Sequence, residues 1–93
     1  MKRLLEEILV ESTRQDVEKE FLYQYGRYKP EFVKLIPAKG FAGRLGGMFV
    51  GKLEGKPVLF SYSREADGSV EVEWFTSDES TIKAFLKKGG ENV

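Results

Sequence analysis

GMFVGKLEGKPVLFSYSREADGSVEVEWFT, residues 47–76, reads as three successive antiparallel strands with their turns written in. Met48 to Glu54 and Pro57 to Arg64 are separated by Gly55-Lys56, and Ser69 to Thr76 follows after Glu65-Ala66-Asp67-Gly68. Each run is rich in Val, Phe, Tyr or Trp and is bounded by Gly or Asp, a composition suited to a pleated, half-buried surface. Directly opposed residues share a face, so the turn between the second and third strands selects which side chains gather. A two-residue Asp67-Gly68 loop would set Tyr62 opposite Glu73 and Ser61 opposite Trp74, which buries charge. A three-residue loop, Ala66-Asp67-Gly68 with Gly68 left-handed, sets Tyr62 against Val72 and Phe60 against Trp74 and assembles one apolar face. The three-residue loop is therefore expected. A two-residue turn at the first hairpin adds Phe49 and Leu53 to that face, with Gly51 beside Phe60 or Val58.

The reverse face carries Met48, Val50, Leu59 and Phe75 among Lys52, Ser61, Ser63, Glu71 and Glu73. It is too apolar to be wholly solvated and too polar to be a core. A cover over part of it is expected, supplied either by a helix of this chain or by a partner.

Before the meander, Lys2 to Tyr25 lacks Gly and Pro and sets Leu5, Ile8 and Leu9 at helical spacing. Val17, Phe21 and Tyr25 continue at intervals of four, but on roughly the opposite side. The polar run Glu11 to Asp16 lies between the two stripes, and Ser12 with Gln15 fits a capping box. A break at Ser12 is expected slightly ahead of one long helix that buries its ends on different surfaces. Gly26 ends the helical pattern. Residues 31–36 are open to two readings, a short helix begun at Pro30 or an edge strand, and Pro37 stops either. Ala38 to Gly47, with four glycines, is a loop. After the meander, Thr76 or Ser77 caps a helix from about Asp78 to Lys88, with Ile82, Phe85 and Leu86 as its apolar stripe; Gly89-Gly90 ends it and 90–93 form a frayed tail. The expected fold is a single α+β domain over 1–93. It has an N-terminal helix or helix pair, a three- to four-stranded antiparallel meander and a C-terminal helix, in two layers with the reverse sheet face incompletely covered.

Composition narrows the chemistry. The chain has no Cys and no His, so disulfides, thiolate nucleophiles, imidazole metal sites and a Ser-His-Asp triad are all excluded from it. Fifteen basic residues balance fifteen acidic ones, and no whole-chain field favours nucleic acid or membrane. The charges are uneven, however: Arg27 to Lys56 holds seven Lys and Arg against only Glu31 and Glu54. No apolar run has the length of a membrane span, and Glu6 and Glu7 interrupt Leu4 to Val10, unlike a secretory signal. A cytoplasmic location is the expectation, and the Lys- and Glu-rich, amide-poor composition is thermophile-like.

Several stretches invite a functional reading. The glycine-rich loop with Lys39 and Arg44 has the ingredients of a phosphate cradle, but it matches no GxxxxGK[ST] pattern, and a strand follows it where a dinucleotide motif needs a helix. Met48 to Leu53 resembles the short aromatic motif of RNA-recognition domains, and Lys39-Gly40-Phe41-Ala42 resembles the opening of their longer motif. The order is reversed and the second match stops at Ala42, so the resemblance implies no membership. Tyr25, Arg27, Tyr28 and Lys29, with Lys39 and Arg44, interleave rings and cations as single-stranded nucleic-acid binders do. Glu71 and Glu73, near Ser61 and Ser63, share a strand face on which a carboxylate pair can bind a divalent cation, though such a face is usually just solvated, and helices followed by an antiparallel sheet also occur in small bacterial ribonuclease toxins. No cofactor or metal is expected. The function expected first is a non-catalytic, self-associating binding module acting through protein contacts at Met48, Val50, Leu59, Phe75, Val17 and Phe21. The alternative is nucleic-acid binding through residues 23–44.

Overall fold

The computed structural model describes residues 2–37 and 46–91, with side chains over 13–36 and 46–87. Helix α1 (Lys2–Gln24) is followed by a 3-10 turn (Gly26–Tyr28), strands β1 (Pro30–Pro37), β2 (Gly46–Leu53), β3 (Lys56–Arg64) and β4 (Val70–Thr76), and helix α2 (Glu79–Glu91). The strands form one antiparallel sheet in the order β1-β2-β3-β4. Residues 31–36 are thus an edge strand, and the fold is α+β with a helix at each end of a four-stranded meander.

The second hairpin has the expected register. Phe60 pairs with Trp74 and Tyr62 with Val72. Gly68, at φ 90°, donates its N–H to the Glu65 carbonyl at 2.9 Å, while the Glu65 N–H reaches the Ser69 carbonyl at 2.8 Å. The left-handed conformation is open to glycine at no steric cost, so this one residue admits the third loop position and with it the apolar pairing. The first hairpin differs from expectation. Its turn is Glu54-Gly55, with both residues at positive φ, and Leu53 pairs with Lys56. Pairing shifts by two residues relative to a Gly55-Lys56 turn, and a shift of two leaves every side chain on its face.

Helix α1 lies on the face that carries Phe49, Val58, Phe60, Tyr62 and Val72, and contributes Val17 and Phe21 to that core. The expected break at Ser12 does not occur: α1 is one helix of 23 residues. The polar run hides a core position. Thr13 is buried and continues the four-residue spacing of Val17 and Phe21; its Oγ1 accepts a hydrogen bond from Arg64 Nη2 at 3.4 Å. The same guanidinium donates to Asp16 at 2.7 Å and to the Gly68 carbonyl at 2.8 Å, tying the helix to the β3–β4 turn. On the exposed side Arg14 pairs with Glu18 at 3.2 Å, the i,i+4 spacing that supports a helix.

Phe21 is the centre of the packing. Its ring lies 5.2 Å from Phe49 and 5.0 Å from Phe60, which stack on each other. Gly51 makes the space for it, since a Cβ there would stand 2.6 Å from Phe21 Cζ. Gly51 pairs with Val58 as anticipated, but the ring above it comes from the helix and not from Phe60. Tyr62 is buried in the same core with its hydroxyl unpartnered among the described residues, and burial pushes the phenol up to about 12. A buried hydroxyl without a partner has lost its water and gained nothing. Tyr62→Phe is accordingly expected to leave the fold equally stable or up to about 1 kcal/mol more stable in denaturant titration. The unfolded phenol ionises near its ordinary value and the folded one only near 12, so wild-type stability falls across that window as pH rises; the phenylalanine variant should lack this alkaline loss.

Helix α2 settles what covers the reverse face. Ile82 packs with Val50 and Leu59, flanked by Ile36, Met48, Phe85 and Leu86. It adds a partial third layer to the two formed by α1 and the sheet. Its cap is Asp78, not Thr76 or Ser77: the carboxylate accepts from the Thr81 N–H at 3.0 Å and from the Ser80 and Thr81 hydroxyls, which holds its carboxyl below the usual range. Thr76 Oγ1 instead accepts the Asp78 N–H. The helix also runs through Gly89 and Gly90 to Glu91, where a frayed tail was expected from residue 90; residues 92 and 93 lie outside the described residues.

Candidate protein-binding edge

Four of the six residues expected to face a partner are interior. Val17 and Phe21 are wholly buried under the first sheet face, and Val50 and Leu59 lie beneath α2. Val17 and Phe21 are interior because α1 packs them on Phe49 and Phe60, and Val50 and Leu59 because the chain after Thr76 folds back over the reverse face as α2. Met48 is half-buried beside the same cluster. Phe75 alone of the six is open, at 57 % exposure.

The nucleic-acid set is divided. Arg27, Tyr28 and Lys29 are exposed on and just after the 3-10 turn, which is pinned to the β2–β3 turn by the Glu54 N–H donating to the Tyr28 carbonyl at 2.8 Å. Tyr25 belongs to the core edge, 5.7 Å from Phe21 and 5.2 Å from Phe60, and its phenol is raised first by burial and then by the charge of Glu73. Lys39 and Arg44 lie outside the described residues, in the connection between Pro37 and Gly46.

The two outer strands differ in what they offer. β1 begins and ends in proline and is bulged at Val33, where its register against β2 shifts. Prolines and bulges are the means by which sheets blunt an edge. β4 is regular over five residues, from Val70 opposite Arg64 to Trp74 opposite Phe60, before a bulge at Phe75. On its α1 side Trp74 is 50 % exposed, with its ring 6.0 Å from Phe60, and a groove of about 480 Å³ runs between α1 and the start of β4 past Glu20, Tyr23 and Val70. On its other side Glu71 and Glu73 stand opposite Ser63 and Ser61, with Glu65 close by. Glu71 is raised above the usual carboxylate range, chiefly by the charge of Glu65 and less by Glu73.

The adjacent aromatics Trp74 and Phe75 are the feature that sequence reasoning placed only in part. Trp74 is on the expected face, but among the described residues no further strand flanks it. The signal was present, since the last strand of a meander is an edge and covers its side chains on one flank only.

Among the described residues no group of three or more acidic side chains converges to hold a metal ion. Among them, too, no helix is long and apolar enough to cross a membrane. What fold and edge define together is an α+β domain with one blunted and one open sheet edge. Comparison with protein-family models, with curated proteins and with solved structures finds no match for the chain.

Proposed function

We propose that the chain is a non-catalytic binding module acting through protein contacts, with the outer edge of β4 and the Trp74-Phe75 pair as its contact surface. The observation that carries this is the half exposure of two adjacent large aromatics on a strand that, among the described residues, is paired on one flank only. Tryptophan and its aromatic neighbours supply large contact area at small entropic loss, which is why they dominate binding hot spots. Self-association was expected from the two-phase N-terminal helix, the mixed reverse face and the balanced charge; because Val17 and Phe21 of α1 are in the core and α2 lies on the reverse face, the proposed partner is a different chain. The nucleic-acid alternative draws on Arg27, Tyr28 and Lys29, exposed side by side; Lys39 and Arg44 lie outside the described residues.

A photo-crosslinking residue at Phe75, with exposed Lys83 as the control position, tests the proposal in the native source. Protein adducts specific to position 75 are expected. Equal labelling from both positions would remove the proposal, and nucleic-acid adducts from a third crosslinking position at exposed Tyr28 would replace it with the alternative.

A further inference from the structure

We infer that the β4 edge takes an extended segment of another protein in which basic and apolar side chains alternate. The inference rests on the protein-contact reading above and adds the chemistry of the partner. Between Val70 and Trp74 alternate backbone N–H and C=O groups point away from β3, and among the described residues no strand pairs with them. A segment laid along that edge gains main-chain hydrogen bonds, and its side chains fall alternately on the two faces of the sheet.

Those two faces ask for different residues. Toward the α2 side the segment meets Glu71 and Glu73, with Glu65 beyond, and none of the three is ion-paired among the described residues. Toward the α1 side it meets Trp74 and the groove wall of Tyr23 and Val70, where Asp16 is already matched by Arg64. Lys or Arg at every second position and an apolar side chain between them satisfies both faces. The same charges turn away a second copy of this chain: β4 laid antiparallel on itself about Val72 would set Glu71 against Glu73 twice, and like charges directly opposed destabilise a strand pair. Strand β1 of a second copy is excluded by its prolines and its bulge.

Trp74 is the only tryptophan of the chain, so its fluorescence reports occupancy of this edge directly. The intact protein is titrated with blocked peptides of about nine residues: alternating Lys and Val, the same composition with the lysines contiguous, and alternating Glu and Val. A protein-only dilution series and a single-stranded oligonucleotide complete the set. The expected result is a saturable blue shift with the alternating Lys peptide, at least about tenfold tighter than with the contiguous one, and weakening in salt. The double variant Glu71→Lys/Glu73→Lys should exchange that preference for the Glu peptide, and Glu71→Gln/Glu73→Gln, the milder change, should abolish it without reversal. Equal affinity for alternating and contiguous lysines would reduce the effect to bulk charge and overturn the inference. A preference for the Glu peptide, or a shift on concentrating the protein alone, would also overturn it while leaving the protein-contact reading in place. Silence towards every peptide and every protein concentration, or a response to the oligonucleotide alone, would remove both.

Discussion

Replacing Phe21 by alanine is expected to cost about 3–5 kcal/mol, a large share of the roughly 5–15 kcal/mol that holds a small domain together. Urea or thermal denaturation would measure it. The size follows from the number of surfaces that meet at one ring. Phe21 has no exposed area, it contacts Phe49 and Phe60 on two neighbouring strands, and it lies over the bare backbone of Gly51, two residues beyond Phe49 on β2. Removing it opens a void floored by glycine, which no side chain can spread to fill. The complementary change, Gly51→Ala, should cost about 1–3 kcal/mol by overpacking, because the new methyl is 2.6 Å from Phe21 Cζ and 3.2 Å from the Glu31 carbonyl oxygen, and neither has room to retreat. The two changes act on one space and should not add. Phe21→Leu combined with Gly51→Ala is expected to be less destabilised than the sum of the single variants, a coupling visible in a double-mutant cycle. Strict additivity would mean that glycine and ring do not share the contact described.

The parts of this fold that sequence arithmetic reaches are the parts fixed by short-range rules. Loop length between β3 and β4, together with the aversion to burying Glu73, was sufficient to pair Phe60 with Trp74. Where the first turn was misplaced, by Glu54 accepting a positive φ, the parity of the faces survived because the error was two residues and not one. The features that escaped depend on distant partners. Thr13 reads as surface until Arg64, 51 residues away, is seen to reach its hydroxyl, and scoring it polar is what broke α1 in two. Likewise Thr76, Ser77 and Asp78 are all competent caps. The choice among them is made by where the chain leaves the sheet, which is set by the bulge at Phe75. The candidate edge was half legible for a similar reason. Pattern assigns Trp74 to a face, but exposure depends on how many strands the sheet has beyond it.

The covered reverse face yields the second large effect. Ile82→Ala should cost about 2–4 kcal/mol, and Ile82→Asp should release α2 from the sheet altogether, because a carboxylate cannot remain unpaired between Val50 and Leu59. Exposed Lys83, paired only with Glu79 one turn earlier, is the control; its replacement by aspartate should leave stability within about 0.5 kcal/mol. The consequence for assembly is more informative than the stability change. With α2 detached, the apolar strip of Met48, Val50 and Leu59 becomes the uncovered face that its composition suggests, and a contiguous patch of that kind seeks another surface. The Ile82→Asp chain is therefore expected to bind a hydrophobic dye and to sediment as a concentration-dependent oligomer, while the parent and Lys83→Asp chains do neither. An Ile82→Asp chain that stays monomeric and dye-free would mean that α2 is not what keeps this face from association. If instead it associates, the oily reverse side is a surface that the chain closes on itself through α2.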